Sequence, residues 1–145
     1  MLSGESIEET KGMHMKIAKK INILLCDDIR QEQGNKLSFM GVYGCKIILD
    51  HIPAIFPKLC ICVMLTGIVT AFSRVDVALI LPNAKTIPLA ISGPPDVTCG
   101  GNHNLGIIVS PARITSAGKA KIELRFDGEK KPSVIHHFEI VEKQS

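Results

Sequence analysis

Nine short apolar segments, separated by turn residues, constrain the fold of this chain more than any other feature. Gly, Pro, Asn or Asp residues lie between them, and no segment keeps a 3.6-residue apolar period over three turns. Short strands at this spacing predict an all-β protein, namely an antiparallel β-sandwich of about 8–9 strands. The segments are 20–29, 37–42, 45–49, 59–66, 75–81, 87–91, 105–109, 120–126 and 135–141.

The chain length predicts one domain. Its 145 residues match the commonest domain size, and 46% hydrophobic with 21% charged residues is ordinary globular composition. Residues 1–15 are polar and contain Gly4 and Gly12, so we expect a flexible leader there. Residues 16–145 would then form a single β-sandwich domain.

Charge and cysteine content bear on partners and location. The net charge of +3 is spread along the chain, without the basic cluster that phosphate contacts need, so we expect no nucleic-acid partner. The longest apolar stretch, residues 59–72, is too short for a spanning helix, which predicts no membrane partner. Five cysteines and a polar start without a signal peptide indicate a cytoplasmic protein with free thiols.

The run 23–44 reads as a β-hairpin. A two-residue loop at Gly34-Asn35 would mix polar and apolar partners across the hairpin. A loop one residue longer pairs Glu32 with Lys36, Arg30 with Ser38, and Ile29 with Phe39. We therefore predict the three-residue loop, with a Gly or Asn in the left-handed conformation.

Asp27 and Asp28 lie inside this hairpin but do not form a carboxylate pair, since neighbours in a strand point to opposite faces. Asp28, Arg30 and Glu32 share a face and predict a surface ion ladder. Asp27 shares its face with apolar residues. A bulge turns it outward, or it lies at the core rim and accepts backbone hydrogen bonds; it is a candidate binding residue.

Segment 59–66 is apolar on both faces. Cys60, Cys62 and Met64 occupy the face opposite the core, where a two-layer sandwich would meet water. We therefore predict that this face is covered by the leader, by the loop at 54–57 or by a second subunit. The same three residues are candidates for a homodimer interface.

The loop 97–104 is the other candidate binding site. It is glycine-rich and contains Cys99, Asn102 and His103. A thiol and an imidazole could act as nucleophile and base, although no orienting group is readable. The four residues Cys60, Cys62, Cys99 and His103 could supply zinc ligands only if the two segments met; a C-x-C within a strand is more often core, so we predict no metal and no cofactor.

The strand at 119–127 alternates cleanly. Its even-numbered residues from Ala120 to Phe126 are apolar, whereas Lys119, Lys121, Glu123 and Arg125 alternate with them. This pattern predicts a half-buried strand with a wet outer face.

The hairpin residues also carry a resemblance. The pattern resembles an uncharacterised family of small bacterial proteins, in a set of residues that runs Cys26-Asp27-Asp28-Ile29-Arg30, Glu32, Gly34, Lys36-Leu37-Ser38, Gly41-Val42-Tyr43-Gly44 and Pro57-Lys58-Leu59-Cys60. The closing stretch is similar to the last hairpin of immunoglobulin-like sandwiches, in Gly118, Ile122-Glu123-Leu124, Asp127-Gly128 and Phe138-Glu139-Ile140. The resemblance implies an immunoglobulin-like β-sandwich of bacterial or phage origin, and it transfers no catalytic residue.

These observations favour a non-enzymatic interaction module that binds an unknown protein partner or associates with itself. Two alternatives stay open. One is an enzyme or a thiol- or metal-dependent site centred on Cys99 and His103. The other is a sandwich that binds a small ligand with the loops at one end.

Overall fold

The computed structural model describes residues 17–34, 36–84, 86–92 and 99–144, and within them it is built from β-strands and one 3-10 turn, Pro82–Ala84. The eleven strands of these residues are β1 Ala18–Glu32, β2 Lys36–Tyr43, β3 Lys46–Leu49, β4 Ala54–Phe56, β5 Leu59–Ile68, β6 Arg74–Ile80, β7 Thr86–Ser92, β8 His103–Val109, β9 Ala112–Ile114, β10 Gly118–Phe126 and β11 Val134–Glu142. The predicted leader, residues 1–15, lies outside the described residues.

The strands form two main sheets and a short ribbon. The four-stranded sheet has the order β2-β1-β5-β8, and the five-stranded sheet has the order β3-β11-β10-β6-β7. Strands β4 and β9 pair only with each other among the described strands. All neighbours are antiparallel except β3 and β11, which run parallel.

A single apolar core lies between the two sheets. The four-stranded sheet contributes Leu25, Ile61 and Val63, and the five-stranded sheet contributes side chains such as Ile122 and Phe126. These side chains are almost completely buried. Phe126 meets Phe72 edge to face, with ring centroids 5.0 Å apart. The all-β fold expected from the sequence is therefore confirmed as a two-sheet arrangement.

All nine predicted segments are strands, each within a few residues of its predicted bounds. The structure adds the two three-residue strands β4 and β9, which lie outside the nine predicted segments. Both are too short to show a periodic pattern in the sequence.

The first hairpin has the predicted register. Glu32 pairs with Lys36, Arg30 with Ser38, and Ile29 with Phe39. Gly34 has φ +78°, the left-handed conformation that the three-residue loop requires. The apolar pattern and the turn residue together were sufficient to fix this pairing.

The outer face of β10 departs from the prediction at one position. Glu123 is only 8% exposed, so this part of the face is not wet. Its carboxylate accepts from Lys121 Nζ at 3.0 Å and from Arg125 Nη1 at 3.1 Å. Ion pairs to Lys121, first, and then to Arg125 hold the pKa of Glu123 below its usual range. The flanking cations cover this carboxylate because all three side chains project from the same face of the strand.

Within the described residues, no helix is long and apolar enough to cross a membrane.

Candidate functional site

Asp27 lies on β1, is exposed, and accepts a hydrogen bond from a side chain of β2. The Tyr43 hydroxyl on β2 donates to Asp27 Oδ1 at 2.5 Å. Gly41 lies opposite Asp27 with φ +64°, and a Cβ built on it would be 2.9 Å from Asp27 Cγ. Only glycine leaves room for this carboxylate, so the two positions depend on each other.

Tyr43 is held in a half-buried position at the end of the core. Its ring is tilted against Phe56, with centroids 6.3 Å apart. Burial and then the hydrogen bond to Asp27 raise the pKa of Tyr43 well above its usual range. The phenol therefore stays protonated and acts as a donor at neutral pH.

Asp28 belongs to an ion-pair group at the base of the hairpin. Lys58 Nζ lies 2.6 Å from Asp28 Oδ1, and Arg30 Nε lies 3.1 Å from Asp28 Oδ2. These cations, Lys58 first, lower the pKa of Asp28. Glu32 instead accepts from the Ser38 hydroxyl at 2.8 Å. The predicted ladder thus has Arg30 beside Asp28, and Lys58 joins it from the start of β5.

Three thiols lie on the outer face of the four-stranded sheet, the face turned away from the core. Cys26 and Cys60 pair directly across β1 and β5, and Cys62 is the next residue along that face of β5. Cys26, Cys60 and Cys62 are fully buried in the single chain, as we predicted for Cys60 and Cys62, and Met64 is half-buried. An interface at this face stays a prediction.

Among the described residues, the hairpin itself covers these thiols. It was not one of the three covers predicted from the sequence. If β1 were straight, Ile29 would lie about 16 Å along the strand from the residue that is level with Gly106 across the sheet, at roughly 3.3 Å a residue. Instead Ile29 Cδ1 lies 3.7 Å from the position of a Cβ on Gly106. Strand β1 therefore bends after Cys26, and residues 28–34 and 36–40, hereafter the flap, fold back over the outer face.

Two exposed apolar side chains flank the ion-pair group. Met40 is 46% exposed and pairs with Asp28; Val42 is 50% exposed and pairs with Cys26. They and the Asp28, Arg30 and Lys58 side chains form what we call the hairpin-base surface. Protein-binding surfaces usually combine apolar and charged side chains in this way.

The Cys99 loop is bound to the end of β5. The exposed Cys99 thiol donates to the Val69 carbonyl at 3.2 Å, and Asn102 Oδ1 accepts from Gly67 N at 3.0 Å. His103 is half-buried at the start of β8, opposite Leu65. The Cys99 and Asn102 side chains thus hold the loop against the sheet.

The structure does not bring the two cysteine segments together. Cys60 pairs with Ile108, five residues from His103 along β8, which is about 17 Å in a strand. Cys62 also lies on the outer face, whereas His103 pairs with the core residue Leu65. Among the described residues, no group of three or more His, Cys, Asp or Glu side chains is arranged to hold a metal ion.

Sequence reasoning assigned no role to Tyr43, Lys58 or Gly41. All three were part of the hairpin pattern, but their contacts to Asp27 and Asp28 join residues that lie 14 to 30 positions apart. The sequence did contain one signal: Asp27 is a polar residue on the apolar face of β1, which indicates that a polar partner lies nearby.

The fold is that of a β-sandwich protein. Its hydrogen-bonded and ion-paired residues, Asp27 with Tyr43 and Asp28 with Lys58, meet at the base of the first hairpin. A family model matches residues 22–135, and the chain therefore belongs to a family of unknown function, DUF6941. The match includes the whole flap and all eleven described strands, the first and the last of them in part. A comparison with curated proteins found no match.

Proposed function

We propose that this protein is a non-enzymatic interaction module that binds a protein partner, or a second copy of itself, through the hairpin-base surface. The observation that supports the proposal is the pair of half-exposed apolar side chains, Met40 and Val42, beside the ion pairs of Asp28. Exposed apolar groups with charged neighbours favour association, because they bury apolar area and fix orientation together.

The proposal includes a bacterial, cytoplasmic setting and an immunoglobulin-like type of sandwich. All five cysteines are free thiols, and three of them are buried, which suits a reducing compartment. The residues that carry the resemblance to immunoglobulin-like domains lie on the β10–β11 hairpin, whose strands pair antiparallel. The family carries no assigned activity that would argue otherwise.

The test compares one double variant with one single variant that serves as its control. Met40→Lys with Val42→Lys places charge in the hairpin-base surface, whereas Ile48→Lys does so on β3, at an apolar residue that is 64% exposed. Partner capture from the native host and the sedimentation mass of the purified protein are measured for each. We expect the double variant to lose the captured partner or the dimer, and Ile48→Lys to keep it.

Two results would contradict the proposal. One is that the wild-type protein is monomeric and captures the same proteins as the double variant. The other is equal loss in both variants, which would indicate a general effect of added charge. Circular dichroism and a urea unfolding curve for each variant show whether it is folded.

A further inference from the structure

Cys26 and Cys60 lie directly opposite each other on neighbouring antiparallel strands. Opposed residues in such a pair have Cα atoms about 4.5–5.5 Å apart, inside the range of about 4.4–6.8 Å that a disulfide spans. Both side chains project from the same face of the sheet, since register partners share a face. The two sulfur atoms are therefore close enough to join with little backbone movement.

We propose that Cys26 and Cys60 form a redox modification site, at which a two-electron oxidant of the hydroperoxide or small-disulfide class converts the dithiol into a cross-strand disulfide. With a hydroperoxide, one thiolate sulfur attacks the O–O bond, becomes a sulfenic acid and releases water or an alcohol. The second thiol then attacks that sulfur, the S–S bond forms, and the hydroxyl leaves as water. With a small disulfide, two exchange steps release two small thiols that take up the protons.

The third buried thiol, Cys62, is a poorer partner for either cysteine. It pairs across β1 with Leu24 rather than with Cys26. Cys60 and Cys62 lie two residues apart on one strand, about 6.7 Å in extended chain, which is the upper limit for a disulfide. The register therefore selects the pair Cys26–Cys60.

Oxidation would act on the bend of the flap. In the thiol form, Cys26 Sγ donates to the Asp28 carbonyl at 3.4 Å, and Cys60 Sγ donates to the Asp27 carbonyl at 3.7 Å. A disulfide has no S–H group, so both carbonyls lose these weak donors. The bend then has fewer contacts to the sheet, and the flap opens more often.

The flap also controls the rate of the reaction. Burial raises the pKa of the Cys26 and Cys60 thiols, so little thiolate forms while the flap is closed. The oxidant reacts through local opening, and the rate should follow the opening equilibrium.

The experiment uses the full chain with Cys45, Cys62 and Cys99 replaced by Ser, and a matched control that also carries Cys26→Ser. Each is treated with hydrogen peroxide under native conditions, and unreacted thiols are then alkylated. We expect the first protein to lose two hydrogens and take no alkyl group, and its tryptic peptides 21–30 and 59–74 to be linked. The control should form no link within the chain.

The second measurement uses the wild-type protein with all five cysteines, so the proposal can be tested even if the variants do not fold. A link between peptides 21–30 and 59–74 supports the proposal; a loop closed inside peptide 59–74, or thiols that all remain alkylatable, would overturn it. Hydrogen exchange of residues 28–40 should be faster in the oxidised form. Unchanged exchange would overturn the effect on the flap.

Discussion

Gly41 gives the sharpest test of the hairpin geometry, since the chain offers a matched control at Gly34. Both glycines have a positive φ, +64° at Gly41 and +78° at Gly34, so alanine pays a similar backbone cost at each, about 1–2 kcal/mol. Nothing lies within 4 Å of a Cβ on Gly34. The Gly34→Ala variant therefore measures the backbone cost alone.

Gly41→Ala adds a collision. Its Cβ would lie 2.9 Å from Asp27 Cγ, so the carboxylate must move away and lose the hydrogen bond from Tyr43. The net contribution of such a bond is about 1 kcal/mol. We expect Gly41→Ala to lower the free energy of unfolding by about 2–3 kcal/mol, which is about 1 kcal/mol more than Gly34→Ala.

Urea unfolding at equilibrium measures both variants, and Asp27→Ala completes a double-mutant cycle. With Asp27 removed, Gly41→Ala should cost no more than Gly34→Ala. Equal losses for the two glycine variants in the wild-type background would refute the reasoning. So would an excess loss at Gly41 that persists without the Asp27 side chain.

Three further predictions concern titration and thiol reactivity. Tyr43 is the single tyrosine of the chain, so the phenolate absorbance should appear only well above pH 10, and earlier in Asp27→Asn; ionisation at the usual pH would contradict its burial and its bond to Asp27. Since the folded-state pKa of Glu123 lies below its usual 4.5, its ion pairs stabilise the fold fully above that pH, and this stability is lost as the pH falls through the folded-state value. Glu123→Gln should therefore lose less stability in urea between neutral and acid pH than wild type, and an equal loss would contradict the stabilising role of its ion pairs. A thiol reagent should modify the exposed Cys45 and Cys99 at once and the three buried cysteines much more slowly, at the rate at which the flap opens; five equal rates would contradict the cover over the thiols.

The parts of the fold that the sequence predicts are those that depend on local alternation. In β10 the apolar residues recur at every second position, and a half-buried strand is the arrangement that buries them all. The hairpin register follows in the same way, because a shift of one residue would place Arg30 opposite Phe39. Gly34 adds the turn, so the pairing was fully specified over a short stretch.

The parts that escape prediction depend on contacts between distant segments. The bend after Cys26 lies beside Gly41, which has a positive φ, and nothing in a two-residue period signals a change of direction. Once the bend exists, Ile29 reaches Gly106 and covers the thiols, a contact that links β1 with the far edge of its sheet. Lys58 reaches Asp28 for the same reason, because β5 begins where β1 bends.

The parallel pairing of β3 with β11 has a consequence for how the protein is made. Lys46 finds its register partner, Glu139, only after more than ninety further residues have been synthesised. Closing such a long loop costs entropy before any contact compensates for it, and chains with many such contacts fold slowly. We therefore expect the β3–β11 pairing to form late, and β3 to stay unpaired at the edge of the larger sheet until β11 has been synthesised.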